Sequence, residues 1–242
     1  MKPETLSGIL NLNKPPALTS HDVVKVVRRL TGVRKVGHAG TLDPLATGVL
    51  LVCLGRATRL IEYLMAGRKV YRATLQLGQT TTTYDAEGDI TATADPSAVT
   101  EAALRRTLAG FVGHIEQTPP PFSALKRNGV PLYRLARQGK AVTPAPRPVH
   151  IAAIELEAFA PPQATLRVVC GPGTYIRSLA HEVGQRLGVG AHLTALVRLA
   201  SGNWSLENAI TLPQLEEAIT QNRLPDVLHP KEKAVAHLPR LT

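Results

Sequence analysis

The stretch GHAGTLDPLATGVLLVCLG, residues 37–55, decides how this chain is read. Its second half, GVLLVCLG, is an uninterrupted apolar run of strand length, the pattern of a buried central strand. The loop GHAGTLDPLATG, residues 37–48, which leads into that run and shares its first glycine, has three glycines, Gly37, Gly40 and Gly48, and a single carboxylate, Asp43, followed by Pro44. Asp-Pro in a loop is ordinary turn chemistry. This loop, however, runs directly into the most apolar strand of the chain, a rigid mount for a loop residue. The glycines admit close approach of a large ligand to the backbone, and His38 adds a planar hydrogen-bonding ring upstream of Asp43.

Upstream, SGILNLNKP reads as a short strand ended by Pro15 and Pro16. LTSHDVVKVVRRLTG predicts a helix capped by Thr19 or Ser20, with Asp22 in the first turn and Arg28 and Arg29 in the last. Val23, Val26, Val27 and Leu30 form its expected buried stripe, and Gly32 ends it. Downstream, ATRLIEYLMAG reads as helical and KVYRATLQLG as a half-buried strand. QTTTTYDAEGD is polar and reads as a loop, and VTEAALRRTLAGFVG as a helix capped by Thr100. Residues 117–148 are rich in proline and basic side chains, which predicts an extended arm around a short basic helix. Strands VHIAAIELEAF and ATLRVVCG follow, then the helix TYIRSLAHEVGQRLG, the strand HLTALVRLASG and a short helix LPQLEEAI begun by Pro213. From Gln221 the chain is polar and proline-bearing, like a linker, and residues 229–242 read as a tail.

Strands and helices are interspersed without regular βαβ alternation, and several neighbouring strands are joined by short turns. The expected fold class is α+β, with a mixed, mostly antiparallel central sheet flanked by helices and an inserted basic arm.

The 242 residues are 44% apolar, enough to bury a core, but only 4% aromatic, so aliphatic side chains carry the packing. The net charge is +10, an excess that points to a polyanionic partner, most simply nucleic acid. Cys53 and Cys170 each sit in an apolar run and read as buried hydrophobes rather than a disulfide. MKPETLSGILNLNKPPALTS lacks the apolar core of a signal peptide, and no run approaches the roughly 20 residues that span a bilayer, so a cytoplasmic protein is expected. His181 and Glu182 lack the second histidine of a zinc-protease helix and read as an ordinary polar helix face, and no metal site is expected.

At this point the residues carry a family resemblance. GHAGTLDPLATGVLLVCLGRATR resembles the signature of the bacterial tRNA pseudouridine-55 synthases, the TruB family. GILNLNKP, TSHDVV, KVYRATLQLGQTTTTYDAEG, FSALKRNGVPLYRLARQG, GTYIRSLA and GAHLTALVRL resemble family blocks in the same order, over roughly residues 8–212. The resemblance implies an enzyme that isomerises uridine to pseudouridine at position 55 in the T-loop of tRNA. Being an isomerisation, the reaction needs no cofactor.

By that resemblance Asp43 is the catalytic aspartate. A carboxylate can attack the ribose anomeric carbon or act as a base on the sugar, and the residues leave both open. Arg177 matches the family arginine that pairs with the aspartate, and Tyr71 the tyrosine that stacks on the target base. Leu196 matches an apolar residue lining the uracil pocket, and His38 the histidine that fills the space left by the flipped base. Lys14 matches a family lysine expected to support the site. Lys126, Arg127, Arg134 and Arg137 lie on the arm and are expected to grip phosphates.

The resemblance also implies tRNA as partner, through its T-arm stem-loop, with no obligatory protein partner and a monomeric enzyme. Residues 1–228 are then the catalytic domain, with the arm inserted at about 117–148. Two departures stand out. Ala17 occupies a position where the family usually has glycine, and the chain stops about where many members continue into a PUA-type RNA-binding domain. Retained but weakened activity, without the tRNA affinity that such a domain contributes, is the expectation. Competing readings are a guide-dependent synthase, a tRNA-folding chaperone (alone or accompanying the chemistry) and, more remotely, a DNA-binding module, for which no helix-turn-helix or zinc-finger pattern is found.

Overall fold

The computed structural model describes residues 6–123, 125–127, 129–138, 140 and 144–235, and for Lys126, Arg127, Tyr133 and Arg137 it describes the backbone alone. Along the chain come β1 (Gly8–Lys14), α1 (Ser20–Thr31), β2 (Val36–Ala39), β3 (Thr47–Leu54) and α2 (Ile61–Ala66). Next are β4 (Lys69–Leu77), β5 (Gln79–Thr81), β6 (Ile90–Thr93), α3 (Glu101–Ala109) and β7 (Gly113–Gln117). The arm holds β8 (Lys126–Arg127), β9 (Val130–Pro131) and α4 (Leu132–Arg137). The chain continues through β10 (Arg147–Ala160), β11 (Gln163–Cys170), α5 (Ile176–Arg186), β12 (Ala191–Ser201) and β13 (Trp204–Ser205), then α6 (Leu212–Thr220) and α7 (Leu224–Val227). Among the described residues no helix is long and apolar enough to cross a membrane.

The chain divides into two compact units, Met1–Val70 with Val197–Thr242, and Tyr71–Leu196. In the first, β3 is the centre. Val49 to Leu54 are each fully buried, as an apolar run without alternation predicts. Antiparallel β1 lies along one edge of β3, from Gly8 opposite Leu54 to Lys14 opposite Gly48. The other edge takes antiparallel β2 near Leu54 and parallel β12 at Thr47 and Gly48. Ile9, Ala39, Val49, Leu51, Cys53, Ala57, Leu64, Trp204 and Ala234 form one apolar cluster. Burial pushes the Cys53 thiol up to about 12, and both cysteines are buried, as expected, with no disulfide among the described residues.

α1 starts at Thr19, which forms a capping box with Asp22. Hydrogen bonds from Thr19, with Lys25 beside it, bring the Asp22 carboxyl down to about 2. The buried stripe is Ser20, Val23, Val24 and Val27; Val26 and Leu30 are only half-buried. The buried stripe thus keeps Val23 and Val27 but lies nearer the start of the helix than expected, where Ser20 exchanges hydrogen bonds with the Leu42 backbone.

The segment after Gln221 is not a linker through Val235. Ile9 and His229 exchange backbone hydrogen bonds of 2.9 Å, and Ala234 is 1% exposed. Lys233 lies 4.5 Å over the Trp204 ring, and His229 meets the same ring edge-on. Sparse anchors dock this segment while its polar residues face water, a pattern that composition alone reads as linker. Residues 236–242 of the expected tail lie outside the described residues.

In the second unit the strand order is β12-β4-β11-β10-β7, and β10 pairs antiparallel with both β11 and β7. β4 alternates buried Tyr71, Ala73, Leu75 and Leu77 with more exposed residues, as its sequence predicts. The threonine-rich segment is a loop only in part. Gln79–Thr81 forms β5 and pairs with β6. Threonine is β-branched and suits a strand, and the Thr80 and Thr91 hydroxyls meet at 2.8 Å across the pair. β7 and β13 are further strands the sequence reading did not separate from their surroundings.

Candidate active site

In the first unit, the loop between β2 and β3 carries Asp43, and every carbonyl from Gly40 to Pro44 is hydrogen-bonded. Arg198 donates from Nη2 to Gly40 at 3.1 Å and from Nη1 to Thr41 at 3.4 Å. Ser20 Oγ donates to the Leu42 carbonyl at 3.0 Å and accepts from the Leu42 N–H at 2.8 Å. The Asp43 carbonyl accepts from Ala46 N at 3.1 Å. The Pro44 carbonyl accepts from Ala17 N at 3.0 Å and from Lys14 Nζ at 3.2 Å. A loop whose acceptors are all engaged has little freedom to move. The half-buried Asp43 side chain therefore rises from a fixed backbone.

The two cations that clamp the loop are buried, Lys14 at 0% and Arg198 at 1% exposure. Buried charge persists where its donors are used. Lys14 also donates to the carbonyls of Pro15 at 2.8 Å and Leu18 at 2.6 Å, and Arg198 Nε to Val49 at 2.6 Å. Ala17 sits at φ 64°, the left-handed region where glycine is at ease, which is the physical sense of the expected glycine there. Gly48 serves the protein rather than a ligand. At φ 96° a Cβ would stand 2.3 Å from the Arg198 carbonyl oxygen, so the parallel β3–β12 contact needs glycine. A Cβ on Gly37 would come within 3.0 Å of Ile61 Cδ1, again a protein neighbour.

His38 lies on β2. Burial, then the Arg198 charge and His21, hold its imidazole below the ordinary histidine value. Its Nδ1 is buried without a hydrogen-bond partner among the described residues.

In the second unit, Arg177 near the start of α5 is buried rather than solvated. Its Nη1 donates to the Thr83 carbonyl at 3.0 Å and its Nη2 to Phe122 at 2.9 Å. Its Nη1 also lies 3.4 Å from Asp85 Oδ2. Asp85, 2% exposed, accepts in turn from the Glu87 N–H at 3.0 Å and from Thr83 Oγ1 at 2.5 Å. Tyr71 on β4 and Leu196 on β12, neighbouring strands, are buried at 8% and 7% exposure. On the arm, Lys126 and Arg127 form β8, paired with β9, and Arg134 and Arg137 lie on α4. Arg134 is exposed; the side chains of Lys126, Arg127 and Arg137 lie outside the described residues.

Sequence reasoning missed Ser20, Asp85 and Arg198. Arg198 had a signal: strand alternation puts it on the face of Leu196, so an inward Leu196 implies an inward arginine. Asp85 had none that separated it from Asp89 in the same polar run. His181 is also more than a polar helix face, since it is half-buried and stacked on Tyr84.

The sequence matches the family described as TruB family pseudouridylate synthase (N terminal domain) over residues 28–176. The chain belongs to the TruB family. Residues 177–236 match the tRNA pseudouridylate synthase B C-terminal domain. A tRNA pseudouridine synthase B of Dehalococcoides mccartyi is 51% identical over 98% of this chain and 79% of the relative. One from Syntrophotalea carbinolica is 49% identical over 98% of this chain and 77% of the relative. Among solved structures, a chain of a Cbf5-Nop10-Gar1 complex superposes with a TM-score of 0.75 at 34% identity, over 96% of this chain. This TruB chain spans 62% of that chain's length. TruB proteins are pseudouridine synthases, which are isomerases, and the α+β fold with mostly antiparallel strand pairing agrees with that membership.

Proposed function

We propose that this chain isomerises uridine to pseudouridine at position 55 in the T-loop of tRNA, with Asp43 acting on the ribose of the flipped nucleotide. The observation that carries the reading is the Asp43 loop, whose carbonyls from Gly40 to Pro44 are all engaged, two by Arg198 and one by Lys14 and Ala17. A reacting carboxylate must be held against a substrate that moves, and a pre-organised backbone supplies that without rearrangement during the reaction. The identity of about half to proteins named tRNA pseudouridine synthase B supports tRNA over a guide-dependent substrate.

In this reaction the N1–C1′ bond breaks, the uracil turns, a C5–C1′ bond forms, the C5 proton leaves and the freed N1 takes up a proton. The product is an isomer of the substrate, so no electron pair or group is supplied from outside. Asp43 either bonds to C1′ and is later displaced, or removes a sugar proton and returns it. For His38, Lys14, Tyr71, Leu196, Arg177 and the arm cations Lys126, Arg127, Arg134 and Arg137, the proposal keeps the roles that the resemblance implies. The net charge of +10 supports a polyanionic substrate.

The deciding experiment compares this chain with Asp43→Asn on a T-arm stem-loop RNA and on full-length tRNA, scoring pseudouridine. Conversion by the parent and none by the variant is expected. Conversion by both would remove Asp43 from the chemistry. Conversion by neither would remove the activity from this chain.

A further inference from the structure

Tyr84 and Asp85 are consecutive residues of the turn between β5 and β6, and α5 carries a partner for each, one helical turn apart. Asp85 meets Arg177 at 3.4 Å. Tyr84 lays its ring on His181, with centroids 3.8 Å apart and planes 8° from parallel. The second contact has no part in the reaction described above.

The Tyr84 backbone is unusual. Its φ is 64°, in the left-handed region that bulky side chains avoid. A non-glycine residue stays there only where its surroundings over-determine it. Backbone bonds supply part of the restraint. Tyr84 N donates to Thr81 at 3.3 Å, Leu193 N donates to Tyr84 at 3.0 Å, and Ala86 N donates to Leu193 at 2.9 Å. The ring contact with His181 is a further restraint on the same residue. With the ring released, the relaxed backbone of a tyrosine lies at negative φ, and a rotation of that size re-aims the next side chain, which is Asp85.

The stack is of two uncharged rings. Burial holds His181 below its ordinary value, and burial with the nearby Glu182 raises the Tyr84 phenol. His181 Nδ1 is buried with no hydrogen-bond partner among the described residues. The imidazole therefore contributes its flat face here rather than a proton on that nitrogen.

We propose that the Tyr84–His181 stack is a positioning device that fixes the left-handed backbone of Tyr84 and thereby keeps Asp85 on Arg177. Its effect on turnover rests on the proposed synthase activity and on Arg177 acting in it. His181 and Tyr84 are positioning residues, since neither is assigned to the substrate.

The test pairs His181→Ala, which removes the ring, with His181→Phe, which keeps a flat face and drops both nitrogens. On T-arm RNA, His181→Ala is expected to lower kcat about tenfold with KM unchanged, the size expected of a displaced site group, and His181→Phe to restore most of it. Equal losses in the two variants, or a wild-type rate in His181→Ala, would overturn the proposal. Tyr84→Gly, which accepts φ 64° without a ring, should lose less turnover than Tyr84→Ala; the reverse order would sever the backbone link.

A second measurement needs no activity. The Arg177 Nε–H resonance, assigned through Arg177→Lys, should shift and broaden in His181→Ala and stay in place in His181→Phe. An unmoved resonance in His181→Ala overturns the proposal whatever the RNA assay gives. Absence of pseudouridine with the parent protein counts against the synthase reading instead, and the resonance still decides the stack.

Discussion

Replacing Arg198 by methionine removes a buried cation and keeps an unbranched apolar stem. The lost bonds are those to Val49 at 2.6 Å, Gly40 at 3.1 Å and Thr41 at 3.4 Å. A hydrogen bond to a charged group contributes about 1.5–3 kcal/mol net, so the two shorter bonds together amount to about 3–6 kcal/mol, and the longest adds little. Against this, the variant no longer desolvates a guanidinium, an effect of several kcal/mol that offsets part of the loss. A destabilisation of about 2–3 kcal/mol remains. For a chain of this size that lowers Tm by about 4–12 °C, which thermal unfolding followed by circular dichroism would read. Turnover on T-arm RNA should fall as well, because the Gly40 and Thr41 carbonyls are freed beside Asp43. The Arg198 charge also helps to depress His38, so the His38 imidazole should titrate higher in the variant, as NMR would show. A Tm within 1 °C of the parent (roughly 0.3 kcal/mol) together with parental turnover would refute the reasoning, because the loop would then be held without Arg198.

Asp85→Asn keeps the side-chain shape but removes a buried carboxylate charge 3.4 Å from the Arg177 guanidinium; a loss of about 3–5 kcal/mol is expected, read as a lower urea midpoint, with slower turnover. Ala17→Gly relieves a left-handed residue and should stabilise the chain by about 1 kcal/mol, measured as a raised Tm with unchanged turnover. His38, His181 and His229 are each held below the ordinary value, chiefly by burial. The unfolded chain then takes up protons near its histidine value of about 6.5 while the folded chain does not, so this contribution is complete above about pH 6.5 and is lost as pH falls toward the folded values. Tm measured from pH 7.5 to 5.5 should decline, less steeply in His229→Gln, with the raised Glu182 opposing the trend at the acid end. A flat profile in the parent would contradict the burial of these rings.

The sequence by itself determined many of the local elements and pointed to the proposed place of the chemistry. An apolar run without alternation becomes β3, buried on both faces, because water has to be excluded from every one of its side chains. Thr19, Asp22 and Gly32 bound α1 through contacts a few residues apart, which local spacing encodes. The GTLDP loop, its glycines and Asp43 are visible in one short stretch, as are Lys14, His38 and Arg177 once the family pattern is seen. Tertiary structure alone decided what holds them. Arg198 reaches Gly40 and Thr41 from more than a hundred and fifty residues away, and Asp85 reaches Arg177 across about ninety. Docking of residues 228–235 on β1 likewise depends on a few apolar anchors meeting a surface built elsewhere. Hydrophobic periodicity reports how a residue meets its own element. The partner of a buried charge depends on which distant carbonyl or carboxylate the fold brings within hydrogen-bond reach, and that is set only when the strands pair.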